Sequence, residues 1–162
     1  MLSTLFSAGT MELALKARDR DSAFQELVAK IPNLNDDARI ILLRALAERE
    51  RLGSTSLGQG VALPHTRHAV AGLTRPLIIF GRSAGIAYGA LDGAPVKLVF
   101  LLVSPDVSQH LQILARLTRV LRDPQLREEL LQAPGRTAVI EALDEAEQRT
   151  QTRSARVAVR SE

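Results

Sequence analysis

The chain has 162 residues, of which 46% are apolar and 24% charged, and this composition is typical of one globular domain with a single core. Its 21 basic and 18 acidic residues nearly balance, so the net charge of +3 does not indicate a nucleic-acid partner. The absence of cysteine excludes disulfides, thiolate metal sites and cysteine nucleophiles. Neither a membrane-spanning apolar run nor a secretory signal is visible, so we expect a cytoplasmic protein without membrane insertion.

Two helices are predicted near the start of the chain. Ser22 and Gln25 have the spacing of a capping box, and apolar residues at helical spacing lead from there to Pro32, which ends the helix. A second helix is predicted to begin after Asn35 and to end at Gly53.

The middle of the chain has the pattern of a β-sheet. Residues 53–60 contain three glycines and are predicted to form a loop or a bulged backbone. The run 61–63 is a short apolar strand, and the runs 77–80 and 96–103 are typical of strands buried on both faces. A further small strand is predicted at 85–89.

Helices are predicted again in the last third. Asp106 and Gln109 form a second capping box before an amphipathic helix, and Asp123 and Pro124 are the N-cap and first residue of the next. A last helix is predicted at about residues 137–147.

The order of these elements predicts the fold class and the domain limits. Helices precede and follow the strands, which predicts an α/β fold with one mixed sheet flanked by helices on both sides. We assign residues 1–147 to the domain and interpret residues 148–162 as a polar, flexible tail that frays from it.

Three residues could carry chemistry. His65 follows Pro64 at the end of a buried strand, where an imidazole can accept a phosphoryl group, act as a base, bind a metal or simply lie at the surface. His110 lies in the first turn of a helix, which favours a nearby anion, although its position alone favours a packing and capping role. Arg49 can bind phosphate through two hydrogen bonds or belong to a solvated helix end.

Other chemistries are less well supported. His65, His68 and His110 could form a catalytic zinc site, but the first two lie in an irregular loop with no glutamate beside them. The glycine-rich loop lacks the spacing of a phosphate-binding P-loop or a dinucleotide fingerprint, and no serine-hydrolase motif occurs.

The run from Arg49 to His65 resembles the active-site segment of enzyme IIA of the bacterial sugar phosphotransferase system. The similarity is to the fructose, mannitol and nitrogen-regulatory class, and it continues through 88–96, 100–105 and 110–117. It covers about residues 14–145. Family members often have Asn at position 59 and Gly at position 66, where this chain has Gln59 and Thr66, and Arg67 and His68 make the rim more basic.

The resemblance implies a fold, a reaction and partners. It implies a mixed sheet between helices, with His65 accepting a phosphoryl group from the histidine phosphocarrier protein while Arg49 and His110 line the site. Neither a metal nor a cofactor is implied. The downstream partner would be a regulated target protein or a separate enzyme IIB.

Three functions remain as hypotheses. We favour a phosphorylation-dependent regulator of the nitrogen-regulatory type, because no IIB or IIC segment is present in the sequence. The alternatives are the IIA component of a sugar permease and a three-histidine metal-binding module.

Overall fold

The computed structural model describes residues 1–159, whose strands form one mixed five-stranded sheet. The order across the sheet is β1-β4-β5-β3-β2. The central pair β4 and β5 is antiparallel, whereas β1 lies parallel to β4 and β3 lies parallel to β5. The edge strand β2 pairs antiparallel with β3. The strands are β1 Met11–Glu12, β2 Ser56–Gly58, β3 Val61–Ala62, β4 Leu77–Ile86 and β5 Val96–Val103.

Helices cover both faces of the sheet, which confirms the predicted α/β class. One face packs against α1 and α2, and the other packs against α3, α4, α5 and the N-terminal 3₁₀ helix. The helices are α1 Arg20–Val28, α2 Asp36–Arg51, α3 Val107–Val120, α4 Pro124–Gln132 and α5 Arg136–Val159, with 3₁₀ turns at Leu2–Leu5 and Ala8–Thr10. No helix within residues 1–159 is long and apolar enough to span a membrane.

Strand β5 shows how the two cores form. Alternate side chains of a strand point to opposite faces, so Leu98, Phe100 and Leu102 join the core under α3–α5. The intervening residues Val99 and Leu101 join the core under α1 and α2. Burial on both faces explains the unbroken apolar run that the sequence shows here.

The predicted cap of α1 is wrong, although the helix itself is confirmed. The side chain of Asp19, rather than that of Ser22, caps the helix, and its Oδ1 accepts a 2.9 Å hydrogen bond from the Ser22 backbone N–H. An aspartate at this position also interacts favourably with the helix dipole. The helix ends at Val28, before Pro32.

The other caps match the sequence pattern. Asn35, Asp106 and Asp123 each accept a backbone N–H at the start of their helices. Pro124 is the first residue of α4, where its missing N–H carries no cost.

Two predicted boundaries are wrong. Residues 85–89 do not form a separate strand, because β4 continues to Ile86 through an irregularity between Arg82 and Ile86. Helix α5 does not end at Glu147 but continues to Val159, so the segment predicted to fray is helical that far. Residues 160–162 of the predicted tail lie outside the described residues.

Arg82 connects the sheet to the C-terminal end of α4. Its guanidinium donates to carbonyl oxygens that the end of α4 leaves free, and its Nε donates to a carbonyl in the segment after β1. The acceptors are the carbonyls of Leu130, Leu131 and Ala133 at 3.0, 3.2 and 2.7 Å, and that of Leu13 at 3.2 Å.

Candidate phosphoryl-accepting site

The backbone of His65 is held against the central strand of the sheet. The chain passes from β3 through Leu63 and Pro64, and the carbonyl of Pro64 accepts a 3.0 Å hydrogen bond from Leu102 of β5. His65 itself forms a parallel bridge with Leu102. These contacts fix the half-buried imidazole at the carboxyl ends of two parallel strands, where α/β sheets commonly expose functional groups.

The ring of His65 has a defined tautomer. Its Nδ1 lies 2.7 Å from the carbonyl oxygen of Leu63. A carbonyl oxygen can only accept, so Nδ1 carries the proton and Nε2 carries the free lone pair. Burial lowers the pKa of His65, and the charge of Arg49 lowers it too, while the Leu63 hydrogen bond and Glu50 oppose them in part. His65 is therefore neutral at pH 7, with Nε2 as the nucleophilic nitrogen.

His110 lies beside His65. It occupies the first turn of α3, and its ring centroid is 5.6 Å from that of His65. The side chain is 7% exposed, and its Nε2 has no hydrogen-bond partner among residues 1–159. Burial lowers the pKa of His110, and His65 lowers it further. A neutral ring with an unpartnered nitrogen can hydrogen-bond to a group that enters beside His65.

Arg49 completes the set that the sequence predicts. It lies in the last turn of α2, and its guanidinium donates a 2.9 Å hydrogen bond to the carbonyl of Gly53. Arg49, His65 and His110 line one cleft of about 500 Å³. The cleft is completed by Leu52, Thr66, Arg67, Val107, Leu111 and Leu114. The structure therefore brings together all three residues singled out from the sequence.

The three-histidine hypothesis does not fit the structure. His68 is exposed and does not line the cleft that contains the other two histidines. No group of three or more histidine, aspartate, glutamate or cysteine side chains within the described part of the chain could hold a metal ion.

Glu50 is the residue near the site that sequence reasoning missed. It belongs to the charged run 48–51, which the sequence presents as a helix end, yet it is only 6% exposed. The helical period indicates this burial, because Leu42, Leu46 and Glu50 are spaced four residues apart and share the buried face of α2.

The comparison with protein families agrees with the fold. A family described as "Phosphoenolpyruvate-dependent sugar phosphotransferase system, EIIA 2" matches residues 4–146. The chain belongs to this family.

The relatives carry two kinds of name. A nitrogen regulatory protein of Bradyrhizobium diazoefficiens is 38% identical over 120 residues, which cover 72% of this chain and 77% of that protein. A fructose-specific EIIABC component of Bacillus subtilis is 32% identical over 150 residues, which cover 89% of this chain. The matched region is 23% of that larger protein.

Two solved structures have the same fold as this chain. The nitrogen regulatory protein IIA-Ntr from Neisseria meningitidis has a TM-score of 0.76 at 29% identity, covering 88% of this chain and 98% of that one. The IIA mannitol protein of Escherichia coli has a TM-score of 0.68 at 24% identity, covering 85% of this chain and 97% of that one, and shares the fold.

Proposed function

We propose that this protein accepts a phosphoryl group on Nε2 of His65 from the histidine phosphocarrier protein, and that the phosphorylation state of His65 regulates a partner protein. The observation that carries the proposal is the 2.7 Å hydrogen bond from Nδ1 of His65 to the Leu63 carbonyl. It leaves Nε2 unprotonated in a cleft that also contains Arg49 and His110. We assign this activity to residues 1–147.

The transfer needs no added acid or base on this chain. The lone pair of Nε2 forms the new N–P bond while the donor's N–P bond breaks and its electron pair returns to the donor ring. The proton on Nδ1 stays in place, and the Leu63 carbonyl stabilises the positive charge that the ring acquires. Arg49 balances the charge of the transferring group, and His110 supplies a hydrogen bond to one of its oxygens.

The rim of the cleft suits a protein donor. Leu52, Val107 and Leu111 line it and are 67%, 47% and 59% exposed. Exposed apolar side chains around a polar centre are typical of protein-binding surfaces. A donor that covers them also excludes water from the transferring group.

The regulatory assignment is supported by the relatives of nitrogen-regulatory type, one of which matches at 38% identity over most of its length. The second candidate is transfer from His65 to a separate enzyme IIB of a sugar permease, which the fructose-specific relative supports. We place both activities in the cytoplasm, with no nucleic acid involved.

The test is phosphorylation of the purified protein by enzyme I, the histidine phosphocarrier protein and phosphoenolpyruvate. Intact mass should show one added phosphate that is lost in acid, as expected of phosphohistidine. His65→Ala should abolish it. The matched control is His68→Ala, because His68 is an exposed histidine outside the cleft, and it should be phosphorylated like wild type. An acid-labile phosphate on the His65→Ala variant would overturn the assignment.

The two downstream roles are separated by one more step. The phosphorylated protein is mixed with a purified fructose enzyme IIB, and both masses are followed. Phosphate that stays on this protein supports the regulatory role, whereas rapid movement to enzyme IIB supports the transport role.

A further inference from the structure

Glu50 is a buried carboxylate whose oxygens are all engaged by neighbouring groups. The backbone N–H of Thr55 lies 3.2 Å from both oxygens, and the Thr55 hydroxyl donates to Oε1. The hydroxyl of Tyr88 also donates to Oε1, at 3.0 Å. Burying a charge without hydrogen-bond partners costs free energy. These hydrogen bonds offset that cost and fix the position of the carboxylate.

Tyr88 anchors the carboxylate to the core. It is 2% exposed, and its ring packs edge-to-face against Phe24 of α1 with centroids 6.1 Å apart. Burial raises the pKa of the Tyr88 hydroxyl, so it keeps its proton and remains a donor to Glu50.

A short series of contacts leads from Glu50 to the nucleophile. The carbonyl of Thr55 accepts a 3.0 Å hydrogen bond from the backbone N–H of Leu63. The carbonyl of Leu63 is the acceptor for Nδ1 of His65. Two residues, Thr55 and Leu63, therefore separate the buried carboxylate from the ring that we propose to be phosphorylated.

Glu50 is also connected with the arginine of the site, through the backbone of one turn. Arg49 precedes Glu50 in α2 and donates to the carbonyl of Gly53. The turn that contains Gly53 begins at Glu50, because the backbone carbonyl of Glu50 accepts a 3.1 Å hydrogen bond from the Gly53 N–H. The turn ends at Thr55, whose backbone N–H donates to the Glu50 side chain. Glu50 thus closes the turn on which the Arg49 guanidinium rests.

We propose that Glu50 is a positioning residue for phosphoryl transfer: it fixes the turn that orients Arg49 and His65, and its negative charge stabilises the positively charged ring of phosphorylated His65. The inference rests on the proposed function. Nothing in it requires Glu50 to touch the phosphoryl group.

The negative charge of Glu50 has a specific partner in the phosphorylated protein, the ring of His65. A ring that carries a phosphoryl group on Nε2 and a proton on Nδ1 is positive. The charged and titratable groups around it are Arg49 and Glu50 from α2, His110 from α3, and Arg67 two residues further along the same loop. Two hydrogen-bonded residues connect the Glu50 carboxylate with this ring, and its charge raises the pKa of His65 whereas that of Arg49 lowers it, so Glu50 favours the positive ring.

The test is Glu50→Gln, which keeps an oxygen to accept from Thr55 and Tyr88 while removing the charge. The matched control is Glu147→Gln: Glu147 is 3% exposed and paired with Arg116, outside the cleft. Three quantities are measured on each protein: the thermal midpoint, the pH titration of the His65 ring by NMR, and the rate of phosphorylation by the phosphocarrier system.

We expect Glu50→Gln to lower the pKa of His65 further and to slow phosphorylation about tenfold, the effect of losing one interaction with a charged group. Glu147→Gln should leave both quantities unchanged. Tyr88→Phe is a second variant, which keeps the charge of Glu50 but removes one of its hydrogen bonds. It should slow phosphoryl transfer without lowering the pKa of His65 as Glu50→Gln does.

A Glu50→Gln protein that transfers at the wild-type rate would overturn the proposal. So would a lower thermal midpoint with an unchanged His65 titration, because that result describes a purely structural glutamate. If wild type accepts no phosphate from the donor system, the proposed function fails, and the His65 titration of the two glutamate variants still tests the effect of Glu50 on the ring.

Discussion

The rings of His65 and His110 lie 5.6 Å apart, centroid to centroid, and are tilted by 45°. His65 follows β3 and His110 lies in the first turn of α3, so the packing of α3 against the sheet sets their separation. Burial lowers the pKa of both rings, and His65 further lowers that of His110. The pair is neutral at pH 7 and suits a ligand that brings its own negative charge, as a phosphoryl group does.

Replacing His110 should slow phosphorylation without abolishing it. His110→Ala removes a hydrogen-bonding nitrogen but leaves Nε2 of His65 in place, so we expect the rate to fall roughly 10- to 100-fold. His110→Gln should recover part of the loss, since its amide retains a donor. Timed intact-mass measurements check this. An effect as complete as that of His65→Ala would contradict the role of His110 as a stabilising group.

Arg49→Ala should slow transfer while the protein remains folded. The guanidinium acts on the charge of the transferring group, and within the described part of the chain it makes one hydrogen bond, to the carbonyl of Gly53. We expect a rate about 10- to 100-fold lower and a thermal midpoint close to that of wild type. Arg51→Ala is the control, because Arg51 is an exposed arginine in the same helical turn. Equal rates for the two variants would remove Arg49 from the site.

Phosphorylation should depend on pH through His65. Its pKa lies below the ordinary value of 6.5, and only the unprotonated Nε2 can attack. The rate should therefore be at its maximum at pH 7 and should fall as the pH drops through the lowered pKa. Rates measured from about pH 5 to 8, corrected for the donor's own profile, locate the inflection. An inflection above pH 6.5 would contradict the neutral, buried ring.

Local patterns in the sequence were sufficient for most of this fold. Asn35 and Gly53 bracket α2 as predicted, because a cap and a glycine act on their immediate neighbours. The apolar run 96–103 predicted a buried central strand for the same kind of reason. The site residues Arg49 and His65 were found through a motif, which is also local.

The errors came from contacts that are distant in sequence. Strand β4 continues to Ile86 because it pairs with Val96 of β5, and a window of neighbouring residues contains no information about that partner. Helix α5 passes Glu147 with few apolar residues, and Arg149 there pairs with Asp123. The burial of Glu50 depends on Tyr88, which sequence reasoning did not connect with it.

Arg82 should contribute measurably to stability. It is the last residue of the regular pairing between β4 and β5 before the irregularity, and its guanidinium donates to three carbonyls at the end of α4. Arg82→Ala leaves those acceptors without the cation, so we expect the free energy of unfolding to fall by about 2–4 kcal/mol. Arg75→Ala is the control: Arg75 is exposed and, among residues 1–159, donates only to the carbonyl of Thr4, so its loss should cost under about 0.5 kcal/mol. Urea denaturation followed by circular dichroism gives both values. Equal midpoints and slopes for the two variants would show that water replaces the guanidinium at the end of α4 without cost.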